Sequence, residues 1–128
     1  MDSTSIDLEL RNFILLGINQ AICSLFPGDG PFVPFAMIVS GDDKRQITFA
    51  TEDVDDGIRE AELYIKTLSP EPDLSLIAFD GFITLDGEKY DAVFVRANGK
   101  NYTETMAYQR YVFTPDGLET IGSMKFLK

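Results

Sequence analysis

The stretch LSLIAFDGFITLDGEKYDAVFVRA (residues 74–97) decides the fold that we predict for this chain. Two strand-like runs, Leu74 to Leu85 and Lys89 to Ala97, are separated by Asp86-Gly87, a dipeptide typical of tight hairpin turns. A glycine inside a strand favours a β-bulge, which we expect at Asp80-Gly81. Because a two-residue turn joins antiparallel strands, residues 74–97 predict a long β-hairpin.

Further turn-forming residues extend this hairpin into a meander. Asn98-Gly99 leads into a strand from Tyr102 to Phe113, and Pro115-Asp116-Gly117 leads into a last strand from Leu118 to about Leu127. The second half of the chain therefore predicts four consecutive antiparallel strands.

A separate hairpin is predicted upstream of the meander. The apolar run Phe32 to Ser40 is followed by the turn signal Gly41-Asp42-Asp43. The segment Gln46 to Phe49 then alternates as a half-buried strand does. These two strands bring the predicted total to six.

A first helix is predicted from about Ser5 to Phe26, where the turn formers that begin with Pro27-Gly28 end it. At 100° per residue its apolar side chains cover more than half of the circumference. The broad face holds Leu10, Phe13, Ile14, Ile18, Ala21, Ile22 and Leu25, with Leu8, Leu15 and Phe26 at its edge, and Leu16 and Cys23 lie on the far side. One sheet covers an arc of about 100°. The excess needs a second cover, so Leu15, Leu16, Cys23 and Phe26 are the interface candidates.

A second helix is predicted from about Glu52 to Leu68, with Thr51 as its cap. Its apolar residues form one narrow stripe, which needs only one partner surface. Its outer face carries acid-before-base pairs four residues apart, Asp55 with Arg59 and Glu62 with Lys66.

Together these elements predict a single α+β domain over residues 1–128. We expect a two-layer sandwich in which both helices pack on one face of a mostly antiparallel sheet of about six strands, in the order αββαββββ.

Composition excludes several classes of function. The 128 residues carry a formal charge of -10, with no His and a single cysteine, Cys23. The absence of His excludes Ser-His and Cys-His catalytic pairs, and one cysteine cannot form an intramolecular disulfide or a Cys/His zinc site. The charge disfavours nucleic acid and anionic membranes as partners. We expect no cofactor, no metal and no membrane span, and the acidic start of the chain, Met1 to Asp7, favours a cytoplasmic location over export.

The fifth strand supplies most of the candidate ligand-binding residues. Tyr102, Glu104, Tyr108 and Arg110 fall on one side at period two, and Arg96 on the preceding strand is placed to join them. Tyrosines with Arg and Glu could bind a polar partner, whereas the alternative is a sheet face stabilised by cross-strand pairs.

Asp80 is a further candidate, because it interrupts an apolar strand, where an ionised group needs a partner or solvent. The bulge could also turn Asp80 outward. The other acidic clusters are assigned to local structure. Residues 52–56 lie in the first turns of a helix, where negative charge is favoured, and Asp86 and Glu88 flank a tight turn.

The run AFDGFITLDGEKYDA (residues 78–92), followed by QRY at residues 109–111, resembles small bacterial proteins of unknown function. In these proteins a similar hydrophobic-D-G strand, D-G turn and Q-R-Y strand recur. The resemblance covers mainly residues 78–111 and implies a bacterial cytosolic protein. It implies no activity and no catalytic residue.

Three functions remain open. We predict a non-enzymatic protein-interaction or assembly module that self-associates through helix one as a homodimer or higher oligomer, or that binds another protein. One alternative is an acidic immunity or inhibitor protein that masks a basic effector. The other is a His-free enzyme or small-ligand binder that uses Asp80, Glu104, Tyr108 and Arg110, which requires that these side chains meet in one pocket.

Overall fold

The computed structural model describes residues 8–25, 33–100 and 102–127. In chain order the elements are α1 (Leu8–Leu25), β1 (Phe35–Ser40), β2 (Asp43–Thr48), α2 (Val54–Lys66), β3 (Leu74–Leu85), β4 (Glu88–Gly99), β5 (Tyr102–Thr114) and β6 (Gly117–Leu127). The α+β class and the order of two helices and six strands are therefore confirmed.

The six strands form one sheet in the order β2-β1-β3-β4-β5-β6, and every neighbouring pair is antiparallel. The turn between β3 and β4 has positive φ at both Asp86 (51°) and Gly87 (84°), as a type I′ hairpin turn requires. The described pairing of β3 with β4 runs from Leu74 opposite Gly99 to Leu85 opposite Glu88 without a register shift. The predicted bulge at Asp80-Gly81 is therefore wrong.

Helices α1 and α2 lie on opposite faces of the sheet, so the prediction that both pack on one face is wrong. Helix α1 buries alternate residues of β3 and β4, among them Leu76 and Val95. The residues that alternate with these along β3 and β4 point to the other face of the sheet. Helix α2 packs on that face, because its Glu62 forms an ion pair with Arg96. Glu62 is thus paired with Arg96 and not with Lys66, the partner that the sequence predicts. The sheet is thus covered by one helix on each side.

The connection through α2 explains this placement. Strands β2 and β3 both run antiparallel to β1, which lies between them, so they are parallel to each other. A crossover between parallel strands of one sheet is almost always right-handed, which selects the face on which α2 packs. Strand β3 also carries apolar residues on both faces, for example Leu76 and Ile77, and both side chains are buried. Each face therefore needs its own cover.

The start of α2 also differs from the prediction. Asp53, and not Thr51, is the N-cap, and its carboxylate accepts a hydrogen bond from the backbone N–H of Asp55 at 3.0 Å. Arg59 pairs with Asp56, three residues earlier, and not with Asp55. The acidic residues at the start of α2 therefore act in capping and local ion pairing.

Candidate functional site

Three predicted ligand-binding residues, Arg96, Tyr108 and Arg110, lie on the α2 side of the sheet, but each is engaged separately. Arg96 pairs with Glu62. Tyr108 is buried in an aromatic cluster. The guanidinium carbon of Arg110 lies 3.8 Å from the ring centroid of Tyr90, and its buried Nε has no hydrogen-bond partner among the described residues. Such contacts fit the alternative in which these side chains stabilise the sheet.

Tyr102 does not share a face with these residues, so the predicted single row along β5 is wrong. Its hydroxyl donates a hydrogen bond to Glu9 of α1 at 2.9 Å, and its ring packs against the core on the α1 side. The cause is a shift in the β4–β5 register between Ala97 and Gly99, which moves Tyr102 across the sheet. Glu104 is exposed near the end of the sheet where β5 begins.

Asp80 lies on the α1 side of the sheet, and it is half-buried there. Its Oδ1 accepts a hydrogen bond from the Tyr111 hydroxyl at 2.8 Å. Because Tyr108 and Arg110 lie on the other face, the structure does not bring together Asp80, Tyr108 and Arg110. The arrangement required for a His-free enzyme built on these residues and Glu104 is not formed.

Partial burial affects the ionisation of both partners in the Asp80–Tyr111 hydrogen bond. Desolvation raises the pKa of Asp80, while the hydrogen bond from Tyr111 acts in the opposite direction. The pKa of Tyr111 is also raised, first by desolvation and then by its hydrogen bond to the carboxylate. The nearby charge of Asp91 raises both values further. Ionisation of Asp80 is therefore less favourable than that of an exposed carboxyl group.

A cleft of about 530 Å³ opens in front of this pair. Its lining residues include four acidic ones, Asp53, Asp55, Asp80 and Asp91, and three aromatic ones, Phe82, Phe113 and Tyr111, and we call it the acidic cleft. Two of its carboxylates come from the start of α2, one from β3 and one from β4. The sequence offers no signal for this juxtaposition, because each acidic residue has a local explanation.

The predicted interface residues occupy the side of α1 that faces away from the sheet. Leu16 is 49% exposed, Cys23 is exposed and Leu15 is half-buried. Leu8, at the start of the helix, is 70% exposed. Phe26 lies outside the described residues. We define the outer face of α1 as Leu8, Asn12, Leu15, Leu16, Asn19 and Cys23, a set without any charged side chain.

A groove of about 430 Å³ adjoins this outer face between α1 and the β1–β2 hairpin. Leu16 lines the groove together with the apolar residues Phe13, Met37 and Val39, and the charged residues of its lining are Glu9, Lys44 and Arg45. The apolar surface of the outer face therefore continues into a depression beside it.

Comparisons with known proteins supply no relative. No protein-family model matches the sequence, and no curated protein or solved structure is significantly similar to it. The resemblance of residues 78–111 to small bacterial proteins stays a prediction. Within the described ranges, no helix is long and apolar enough to span a bilayer. The same residues contain no group of three or more Cys, Asp or Glu side chains that could hold a metal ion.

Proposed function

We propose that this chain is a non-enzymatic protein-association module that binds a second copy of itself through the outer face of α1. The observation that carries this proposal is the exposure of Leu8 and Leu16 on a helix face without charge. Soluble proteins rarely leave a contiguous apolar surface uncovered, and such surfaces commonly mark association sites.

Electrostatics favour this face over the rest of the surface. Each copy carries a formal charge of -10, so two copies repel each other. The repulsion is weakest where the approaching surfaces contain no carboxylates, because salt screens charges separated by more than about 8 Å. Helix α1 carries only Glu9 and Arg11, which cancel, whereas α2 is densely charged. A contact through α1 therefore keeps most acidic residues of the two copies apart.

The spacing of the outer face suits a two-fold symmetric contact. In an antiparallel pair of α1 helices that is centred on Leu15 and Leu16, Leu8 of one copy meets Cys23 of the second copy, because both lie about equally far from the centre. The helix spans about 27 Å at about 1.5 Å per residue. The groove beside Leu16 adds surface on each side of the helix pair, which helps to reach the roughly 1,200 Å² that specific interfaces bury.

The test is the oligomeric state of two matched variants, measured by light scattering and sedimentation equilibrium. Leu16→Glu places one carboxylate per copy at the centre of the contact, and we expect it to raise the dimer Kd by about 100-fold or more. Leu63→Glu is the control, since Leu63 is 62% exposed on α2 and the change adds the same charge. We expect this variant to dimerise as the wild type does.

The single cysteine provides a second readout that needs no mutation. Cys23 is exposed in the single chain. As the protein concentration rises and the outer face becomes covered by a second copy, the Cys23 thiol should therefore react more slowly with a disulfide reagent. A wild-type chain that stays monomeric at about 100 µM, a concentration at which an 8 kcal/mol association would be nearly complete, contradicts the proposal. Equal weakening by Leu16→Glu and Leu63→Glu contradicts it as well.

A further inference from the structure

The acidic cleft is separate from the surface assigned to self-association. None of its described lining residues belongs to α1, and they come from the start of α2 and from β3, β4 and β5. Its volume of about 530 Å³ falls within the range of about 300–1,000 Å³ that is typical of small-ligand sites. The cleft therefore needs an explanation of its own.

The carboxylates of the cleft have no cationic partner among the described residues. The ion pairs among the described residues instead involve four carboxylates outside the cleft, Asp43, Asp56, Glu62 and Asp73. Asp80 lies opposite Val93 in the β3–β4 pairing, so Asp91, two residues before Val93, is its diagonal neighbour on the same face of the sheet. The charge of Asp91 disfavours ionisation of Asp80. In a chain that is already strongly negative, two uncompensated carboxylates at one cleft favour the arrival of a cation.

The geometry favours an organic cation over a metal ion. The acidic groups of the described residues do not converge closely enough to hold a metal. They are distributed around a cleft that is also lined by two exposed phenylalanines, Phe82 (60% exposed) and Phe113 (44% exposed). The Phe82 ring already attracts a cation, because Nζ of Lys89 lies 4.5 Å from its centroid. Carboxylates beside aromatic faces match a cation that both donates hydrogen bonds and stacks.

A guanidinium group meets both requirements. It is planar, it presents five N–H donors that can pair with carboxylates in a bidentate way, and it stacks on aromatic rings. An ammonium group is a compact, more strongly hydrated charge, so it would form fewer hydrogen bonds and ring contacts in such a cleft. We propose that the acidic cleft binds a guanidinium group, with Asp80 and Asp91 accepting its hydrogen bonds and Phe82 and Phe113 contacting its faces.

The guanidinium group has two possible sources, a small molecule and an arginine side chain of a polypeptide. Titrations of the full chain followed by amide NMR distinguish them. The probes are agmatine, the blocked tripeptide acetyl-Gly-Arg-Gly-amide and the same peptide with citrulline, the uncharged counterpart of arginine. We expect the charged probes to shift the amide signals of Asp80, Gly81 and Asp91, with an affinity at least about ten-fold higher than that of the citrulline peptide. Tighter binding of agmatine identifies a small-molecule source, and tighter binding of the peptide identifies a polypeptide source.

Variants test whether the cleft itself is responsible. Asp80→Asn keeps an oxygen that can accept from Tyr111, and we expect it to weaken binding by about ten-fold or more. Glu119→Gln is the control, because it removes the same charge from an exposed residue of β6 outside the cleft. If Asp80→Asn does not fold, Phe82→Ala replaces it, since Phe82 is largely exposed.

Three results would overturn the inference. The first is that no probe shifts these signals at about 10 mM, where even a millimolar site would be occupied. The second is equal affinity for the arginine and citrulline peptides. The third is that Glu119→Gln weakens binding as much as the cleft variant does, which indicates general attraction to an acidic surface.

Discussion

Replacing Glu62 by Gln tests the placement of α2 directly, because Glu62 forms the ion pair that links this helix to Arg96 of β4. The Arg96 side chain is 20% exposed and that of Glu62 is 38% exposed. Exposed ion pairs contribute about 0–1 kcal/mol, whereas removal of one partner from a buried pair costs about 3–5 kcal/mol. For this intermediate exposure we expect Glu62→Gln to reduce the free energy of unfolding by about 2 kcal/mol.

The companion variant is Arg96→Met, which replaces the half-buried cation by an apolar side chain of similar length. We expect the double variant to be more stable than Glu62→Gln alone, because no unpaired guanidinium remains. Urea unfolding of the four proteins at one protein concentration gives the coupling free energy, which we expect to be about 1 kcal/mol or more. Glu60→Gln, an exposed change on the same helix, is the control. A coupling within about 0.3 kcal/mol of zero would refute the assignment of α2 to the Arg96 face.

Two further predictions concern the end of the sheet near Asp73. Gly99→Ala should reduce the free energy of unfolding by about 2–3 kcal/mol in urea titrations, because the added Cβ would lie 2.6 Å from the backbone oxygen of Asp73. Gly41→Ala is the matched control, because its added Cβ would meet nothing within 4 Å and only its φ of 61° would cost about 1 kcal/mol. If both variants lose the same free energy of unfolding, the steric explanation for Gly99 is contradicted. A hydrogen bond from the Gly41 N–H, at 2.8 Å, lowers the pKa of Asp73 below its ordinary 3.8. The ionised carboxylate therefore stabilises the fold above pH 3.8, and this stabilisation is lost as the pH falls through the lower pKa of the folded state. The difference in Tm between the wild type and Asp73→Asn should therefore narrow from about pH 6 to about pH 3, and a difference independent of pH would show that ionisation of Asp73 is not involved.

Local signals were sufficient for most of the elements. The turn at Asp86-Gly87 and the one that begins with Gly41 depend on residues that adopt positive φ readily, and both form where the sequence predicts them. The spacing of apolar residues likewise locates α1, because its buried side chains repeat with the helical period. Such features depend only on neighbours along the chain.

The face chosen by α2 depends on more distant parts of the chain. Its narrow apolar stripe fits either side of a sheet equally well, so the stripe itself cannot decide. The deciding facts are the parallel relation of β2 to β3 and the apolar residues on both sides of β3. The second of these was visible in the uninterrupted run from Leu76 to Phe79, which is typical of a strand buried on both faces.

The candidate site was harder to predict than the fold. Strict alternation along β5 places Tyr102 beside Tyr108, but the register shift near Gly99 sends the two rings to opposite faces. The notable property of Asp80 was visible in the sequence as a carboxylate within an apolar strand. Its partner Tyr111 follows from the pairing of β3, β4 and β5, which the sequence does not specify in that detail.

Helix α1 packs on strands that are synthesised long after it. Most of its contacts are with β3, β4 and β5, the earliest of which begins at Leu74. Because the ribosome releases the chain from its N-terminal end, the apolar side of α1 that faces the sheet lacks most of its native partners while those strands are being made. The strands can pair with one another as successive hairpins, and the helix can pack only after they have formed. The period in which this chain is most exposed to aggregation therefore falls during its translation.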